Sequence, residues 1–295
     1  MSLLVSKLRA GILLALLILL GARPAPAQTL TIRFLDVGQG DATLIVSPEG
    51  KRVLIDAGPG ESAVGQWLGT AHVDTIDLAI ASHNHADHIG GMAAVLTAIP
   101  VRYYLDNGVP HTTATYQRTI AAVEASGAQY LRPTARTITV GTARFRILPP
   151  PPGAEDQNNH SVGVLVEFGE FRALLTGDSE LGELGYWLEQ DSVPQVQVVK
   201  VAHHGSANGT SIAWVQRTRP QIAVISVGAE FVRPPVRRGR GVVGERRRPG
   251  APHRPARHGG DRRSPRRNVH RVDRRPRSPC HGGDAERPTD LTLVL

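Results

Sequence analysis

The sequence predicts an α/β protein in which two sheets pack on each other with helices outside. Three observations carry this. Short apolar runs of strand length alternate with helical segments along most of the chain. Tight turns rich in Gly or Pro join many of these runs, which favours antiparallel pairs over a purely parallel sheet. The polar residues able to carry chemistry gather at the ends of strands, where open α/β folds build their sites. An aromatic content of only 4% within 295 residues, with abundant Ala, Val, Leu and Gly, suits such a core. The single cysteine, Cys280, excludes an internal disulfide and a thiolate metal site.

The chain divides into three parts. Residues 1–27 read as a secretory signal peptide. Lys7 and Arg9 precede the apolar run Gly11 to Leu20, and Ala25-Pro26-Ala27 offers a small-residue cleavage site. That run is about half the 20 apolar residues a membrane span needs. Export to the periplasm or the exterior, with no lasting membrane partner after cleavage, is therefore the expected location. Residues 28–230 form the body. Residues 231–295 hold eighteen Arg, no Lys and six acidic residues, a net of +12 in a chain of net +8, so the rest carries −4.

Within the body, Thr31 to Gly38 alternates as a strand and ends in Gly-Gln-Gly-Asp. Ala42–Val46 and Arg52–Asp56 are the next two strands, joined at Pro48-Glu49-Gly50. Asp36, Asp41 and Asp56 all fall at strand ends, where Asp is also ordinary turn chemistry. A short helix at Ser62–Leu68 leads to the buried strand Ile76–Ala81. Val101–Asp106 is a strand, and Thr113–Ser126, with apolar Tyr116, Ile120 and Val123 on one side, is a surface helix. Arg136–Val140 and Ala143–Leu148 are paired strands. Val162–Phe168 and Arg172–Thr176 form a hairpin that brings His160 and Asp178 to one sheet edge. The helix Leu181–Leu188 could use Asp178 as its cap. Val196–Val201 delivers His203-His204-Gly205-Ser206, and after a helix at Ser211–Thr218 the strand Gln221–Gly228 closes the body.

The chemistry centres on His83-Asn84-His85-Ala86-Asp87-His88, a short loop following the strand Ile76–Ala81. Imidazole and carboxylate suit zinc and its first-row neighbours. His83 and His85 alternate along an extended loop and can face one position. Asp87 and His88, further round the turn, can face a second, about 3.5–4 Å off as in two-metal hydrolytic sites.

His83 to Gly91, read HNHADHIGG, resembles the H-x-H-x-D-H-x-G-G signature of the metallo-β-lactamase superfamily, whose fold is an αββα sandwich. FLDVGQGDATLI, LIDAGPG, NNHSVGVLV, LLTGD and KVAHHGS follow the order of one branch, from Thr29 to Gly228. That branch holds the hydrolase domain of ComEC-type competence DNA-uptake channels, stand-alone secreted hydrolases and phosphorylcholine esterases. The resemblance implies two divalent ions, Zn2+ first and Mn2+ as the other ion such ligands accept. His83, His85 and His160 would hold the first, Asp87 and His88 the second, with Asp178 bridging. His203 or His204 would close the second position; with His203 as the ligand, His204 is left to donate a proton or contact a phosphate. Asp56 would orient the histidine loop by hydrogen bonding. Asp36, Gln39, Asp41, Asn159 and Ser206 would contact substrate. Two dications sharing Asp178 would bring the pKa of water toward neutrality, so hydrolysis of a phosphoester, possibly DNA, is the activity expected, with catalytic roles for Asp87, Asp178 and His204. Hydrolysis of a lactam, lactone or thioester is the alternative on the same scaffold.

The Arg- and Pro-rich stretch 231–295 supports two readings. A disordered basic tail would neutralise nucleic-acid phosphates, making the chain a binding protein. Arginine without lysine is also what GC-rich DNA yields out of frame. A one-base offset lets Glu230–Pro235 be decoded as Asn-Ser-Tyr-Gly-His-Pro, which is similar to the continuation in that branch. The second reading predicts a frameshifted end, an uncovered sheet edge, low stability and weak activity.

Overall fold

The computed structural model describes residues 29–60, 63–154, 156–228 and 290–295. The expected signal peptide at 1–27, and the basic stretch up to 289, lie outside the described residues.

The first sheet has the order β13-β1-β2-β3-β4-β5-β6. Its strands are β1 (Thr31–Phe34), β2 (Ala42–Val46), β3 (Arg52–Ala57), β4 (Ile76–Ile80), β5 (Val101–Leu105), β6 (Gln129–Leu131) and β13 (Leu291–Val294). The second sheet has the order β12-β11-β10-β9-β8-β7. It comprises β7 (Arg136–Val140), β8 (Ala143–Leu148), β9 (Gly163–Phe168), β10 (Phe171–Leu175), β11 (Val198–Lys200) and β12 (Ile222–Val224). Both are mixed: β1 to β3 and β7 to β10 run antiparallel, while β3 to β6 and β10 to β12 pair in parallel.

The period of two along each strand builds the layers. Val53 and Ile55 of β3 face inward with Ile32, Leu78 and Ile80, meeting Phe145, Ile147, Val164 and Val166 of the other sheet. Leu54, between them in sequence, faces outward with Leu44 and Ala79. There it meets α1 (Ala63–Thr70), α3 (Met92–Ala98) and α4 (Ala114–Ser126) through Val64, Leu68, Met92, Val95 and Val123. The outer face of the second sheet receives α5 (Leu181–Glu189) and α6 (Ile212–Thr218) through Leu184, Trp187 and Trp214. Helix, sheet, sheet, helix: this is the αββα sandwich. No helix among the described residues is long and apolar enough to cross a membrane.

Three differences from the sequence reading matter. The stretch expected to be a plain loop after β4 contains a helical turn, α2 (Ala86–Ile89), which carries Asp87 and His88. The polar strand β6 was not anticipated, because two of its three residues are exposed and it lacks apolar alternation.

The third corrects the tail boundary at 231. Asp290 to Leu295 belongs to the first sheet: Leu291–Val294 pairs antiparallel with β1, and Leu293 is buried in the inter-sheet core. This strand covers the β1 edge of the first sheet, while β12 is an edge strand of the second sheet among the described residues. Asp290 accepts hydrogen bonds from Trp67 Nε1 at 2.5 Å and from the Asp36 backbone amide at 3.0 Å, tying this strand to α1 and to the loop after β1.

Candidate metal centre

β3, β4, β10 and β11 each end at the same rim of the sandwich, and each contributes to one buried cluster. β4 delivers Ser82 and His83; the turn into α2 delivers His85, Asp87 and His88. Gly90 and Gly91 let this turn lie against the loop after β3, since a Cβ at Gly91 would sit 2.4 Å from the Ala57 carbonyl oxygen. The β10 end provides Asp178, and the single 3-10 turn His203–Gly205 after β11 provides His204.

Ligand atoms of Asp87, His88, Asp178 and His204 all lie within 4.8 Å of one another. His204 Nε2 is 3.1 Å from Asp87 Oδ2 and 3.3 Å from Asp178 Oδ2, and His88 Nε2 is 3.2 Å from Asp178 Oδ1. On the other side His83 Nε2 lies 2.9 Å from His85 Nδ1 and 3.9 Å from Asp178 Oδ2. Asp178 therefore stands between a His83–His85 pair and an Asp87–His88–His204 group. These residues fit divalent ions. His88 Nε2 and Asp178 Oδ1 are buried and make no hydrogen bond, an arrangement that is costly unless a cation is shared between them.

Asp56 holds this arrangement from behind. One carboxylate oxygen accepts from the Ser82 amide at 2.7 Å; the other accepts from Ser82 Oγ at 2.8 Å and lies 2.9 Å from His88 Nδ1. With Nδ1 bound there, His88 presents Nε2 to Asp178. Asp56 adopts φ +58°, a left-handed backbone that Asp tolerates better than most residues.

The charges are strongly coupled. Burial lowers the His83 imidazole well below its usual range. Burial would also lower His88, but Asp56 and Asp178 outweigh it and hold His88 well above that range. In His204 burial is again overcome, by bonding to Asp178 and Asp87, and the imidazole is pushed up to about 9. Burial opposes ionisation of Asp178, yet the surrounding imidazoles keep its carboxylate far below the normal value. Protons and metal ions compete for the same nitrogens at such a site.

Several expected site residues are placed elsewhere. His203 is not with the cluster: its Nδ1 is 3.1 Å from Asn208 Oδ1 and 3.4 Å from Glu180 Oε1. His204 instead joins the group that could hold an ion, its Nε2 facing Asp87 and Asp178; His203 and His204 both have left-handed backbones (φ +49° and +52°). His160 is also outside. It ends the 3-10 turn Asn158–His160, and its Nδ1 approaches the Asp156 carbonyl at 3.2 Å. Asn159 is engaged with Asp156 and with the amide of Glu183 rather than turned to a substrate. Asp41 is 5% exposed beneath the site, paired with Lys200. Asp178 does not cap α5, whose N-cap is Glu180. Asp36 is exposed on the loop after β1, Gln39 accepts from the Gly228 amide at 3.2 Å, and Ser206 is half-buried just past His204.

Other residues enter that the motifs did not single out. His111 stacks edge-on to His85 with ring centres 5.8 Å apart. Asn84 donates to Asn107 Oδ1 and to the Val109 carbonyl, and Gln157 Oε1 accepts from the Asn84 amide and from Asn107. This network fastens the histidine loop to two neighbouring loops. On α5, buried Glu183 accepts from the Ser161 amide at 3.2 Å, and burial pushes its carboxyl up to about 9.

Comparison with known proteins agrees with this architecture. The family model of the metallo-beta-lactamase superfamily matches residues 35–229. Recombination protein 2 of Haemophilus influenzae is 29% identical over 231 residues, covering 74% of this chain and 27% of that protein. ComE operon protein 3 of Bacillus subtilis is 27% identical over 241 residues, covering 74% and 31%. This chain spans only about a third or less of the length of either protein. Atrochrysone carboxyl ACP thioesterase of Passalora fulva is 30% identical over 149 residues, covering 49% of this chain and 39% of that protein.

Proposed function

The chain belongs to the metallo-beta-lactamase superfamily, and from that premise we propose that it is an exported, two-metal hydrolase of phosphoesters, with DNA phosphodiesters the first substrate to test. The observation that carries the reading is the convergence of Asp87, His88, Asp178 and His204 beside the His83–His85 pair. These residues would hold a pair of divalent ions, zinc or manganese, which when bound would supply Lewis acidity and bring water ionisation toward neutral pH.

The chain's own part is to hold and orient. His83 and His85 face the first position, and Asp87, His88 and His204 face the second. Asp178 lies between them, its carboxylate ionised over the whole physiological range. Asp56 fixes the proton on His88 Nδ1 and so keeps Nε2 free for ligation. Asp87 has 32% of its side chain exposed, whereas His83 and His88 have none, so a substrate approaches on the Asp87 side.

The phosphoester reading rests on the motif order that resembles the ComEC-type branch, and the similarity to Recombination protein 2 and ComE operon protein 3, each over about three quarters of this chain, supports it. Export is supported by the charged and apolar pattern of the first 27 residues. A second reading, thioester hydrolysis, is supported by the similarity to the fungal thioesterase. Metal-loaded protein assayed on single-stranded DNA, an aryl phosphodiester and an acyl thioester separates the two. Chelator-sensitive turnover of the phosphodiesters is expected; turnover of the thioester alone would overturn the phosphoester reading. Cell fractionation with N-terminal sequencing tests export, which requires a mature chain starting near Gln28.

A further inference from the structure

Beneath the metal-facing cluster lies a second group, Asp41, Asp56 and His88, whose ligand atoms also fall within 4.8 Å of one another. By donor set alone it could hold a cation. It already has one. Lys200, the last residue of β11, is 3% exposed, and its Nζ contacts Asp41 Oδ2; Asp41 is its only ion-pair partner among the described residues. Asp41 in turn stands behind both imidazoles of the second metal position, with Oδ1 3.7 Å from His204 Nδ1 and Oδ2 4.0 Å from His88 Nδ1. Its backbone is tied to the same loops: the Asp41 amide donates to the Asp87 carbonyl at 3.1 Å, and the Asp41 carbonyl accepts from Gly58 at 2.8 Å.

We propose that the Lys200 ammonium is the resident cation of this inner group: it neutralises Asp41, keeps a divalent ion out of the Asp41–Asp56–His88 cluster, and so confines metal to the Nε2 side of His88 and His204. A buried carboxylate left without its partner is strongly destabilising, whereas exchanging both members of a buried pair for neutral groups is often tolerated. Lys200 is thus a positioning residue. It touches neither metal nor substrate, and acts through Asp41.

The stoichiometric part of this inference rests on the metallohydrolase reading; the ion-pair part does not. Lys200→Met, Asp41→Asn and the double variant are to be compared with the wild type for bound zinc per chain, for the visible spectrum of the cobalt-loaded form, and for the apo melting temperature. The wild type should hold two equivalents. Lys200→Met should take up one further equivalent with a changed cobalt spectrum and melt lower, while the double variant should return to two equivalents and recover most of the melting temperature. A folded Lys200→Met with wild-type zinc content, spectrum and melting temperature would overturn the proposal. If Lys200→Met does not fold, a folded double variant supports the proposal, and a double variant that also fails overturns it. A wild-type chain that takes up no metal would sink the hydrolase reading, leaving the two melting temperatures to decide the role of Lys200.

Discussion

Asp56 and His88 meet at 2.9 Å, carboxylate to Nδ1, and the same carboxylate caps the Ser82 amide at the start of the histidine loop. One side chain therefore sets both the tautomer of a metal-facing imidazole and the path of the backbone that carries His83. Asp56→Asn keeps the shape and tolerates the left-handed φ, but places an amide N–H where an acceptor is required. Zinc affinity should fall by about 10- to 100-fold, as for other groups that orient ligands. Competition with a chromogenic chelator measures it, and unchanged affinity would count against the orienting role.

His204 and His203 provide a paired comparison. His204→Ala removes a member of the cluster, so the second equivalent of metal should be lost and turnover should drop by about 100-fold or more, beyond the usual cost of an outer-shell change. His203→Ala leaves the cluster intact and should change both by less than about threefold. The opposite ranking in metal content would restore the assignment made from the motif.

Much of this was legible in the sequence. β2, β7 and β8 fall where the apolar alternation puts them, and the αββα layering follows from strands whose neighbours face opposite cores. Asp56 and Asp178 could be placed by motif because each sits directly at a strand end. The histidines on 3-10 turns could not. His160 sits on a 3-10 turn held to the Asp156 carbonyl, and His203 lies in a turn with two successive left-handed non-Gly residues, so neither placement carries a residue-type signature. Lys200 was read as one more residue of a strand; its burial is visible only once β11 lies in the sheet interior. The alternation of Leu291, Leu293 and Leu295 was present, but the arginine-rich stretch before it masked the pattern.

Glu183 makes stability depend on pH. Burial raises its folded pKa from 4.5 to about 9. A raised carboxyl contributes its full stability below the unfolded value, loses it progressively as pH climbs, and has none left by about pH 9. Glu183→Gln is neutral throughout and has no such loss. Its stability relative to wild type should therefore improve between pH 5 and pH 8 by about 1–4 kcal/mol. Urea unfolding at the two pH values measures this, and a constant difference would show that Glu183 is already ionised in the fold.

The terminal strand can be probed at Leu293, which is 6% exposed and packs between the sheets. Leu293→Ala should cost about 2 kcal/mol, the lower end for a buried leucine because the strand lies at the sheet's edge. A change under about 0.5 kcal/mol, of the size seen at ordinary surface positions, would show that β13 is not part of the cooperative unit.

The successive left-handed residues His203 and His204 have a consequence for motion. A non-glycine residue in that region costs of order 1–3 kcal/mol, and here two stand together, followed by Gly205 at φ +78°. The turn is held by the contacts of the His204 ring with Asp87, Asp178 and the Ser226 carbonyl. Anything that tightens those contacts stiffens the turn, and anything that releases them lets it unwind. Amide exchange from Ala202 to Ser206 should therefore follow the state of the His204 contacts, without reference to any substrate.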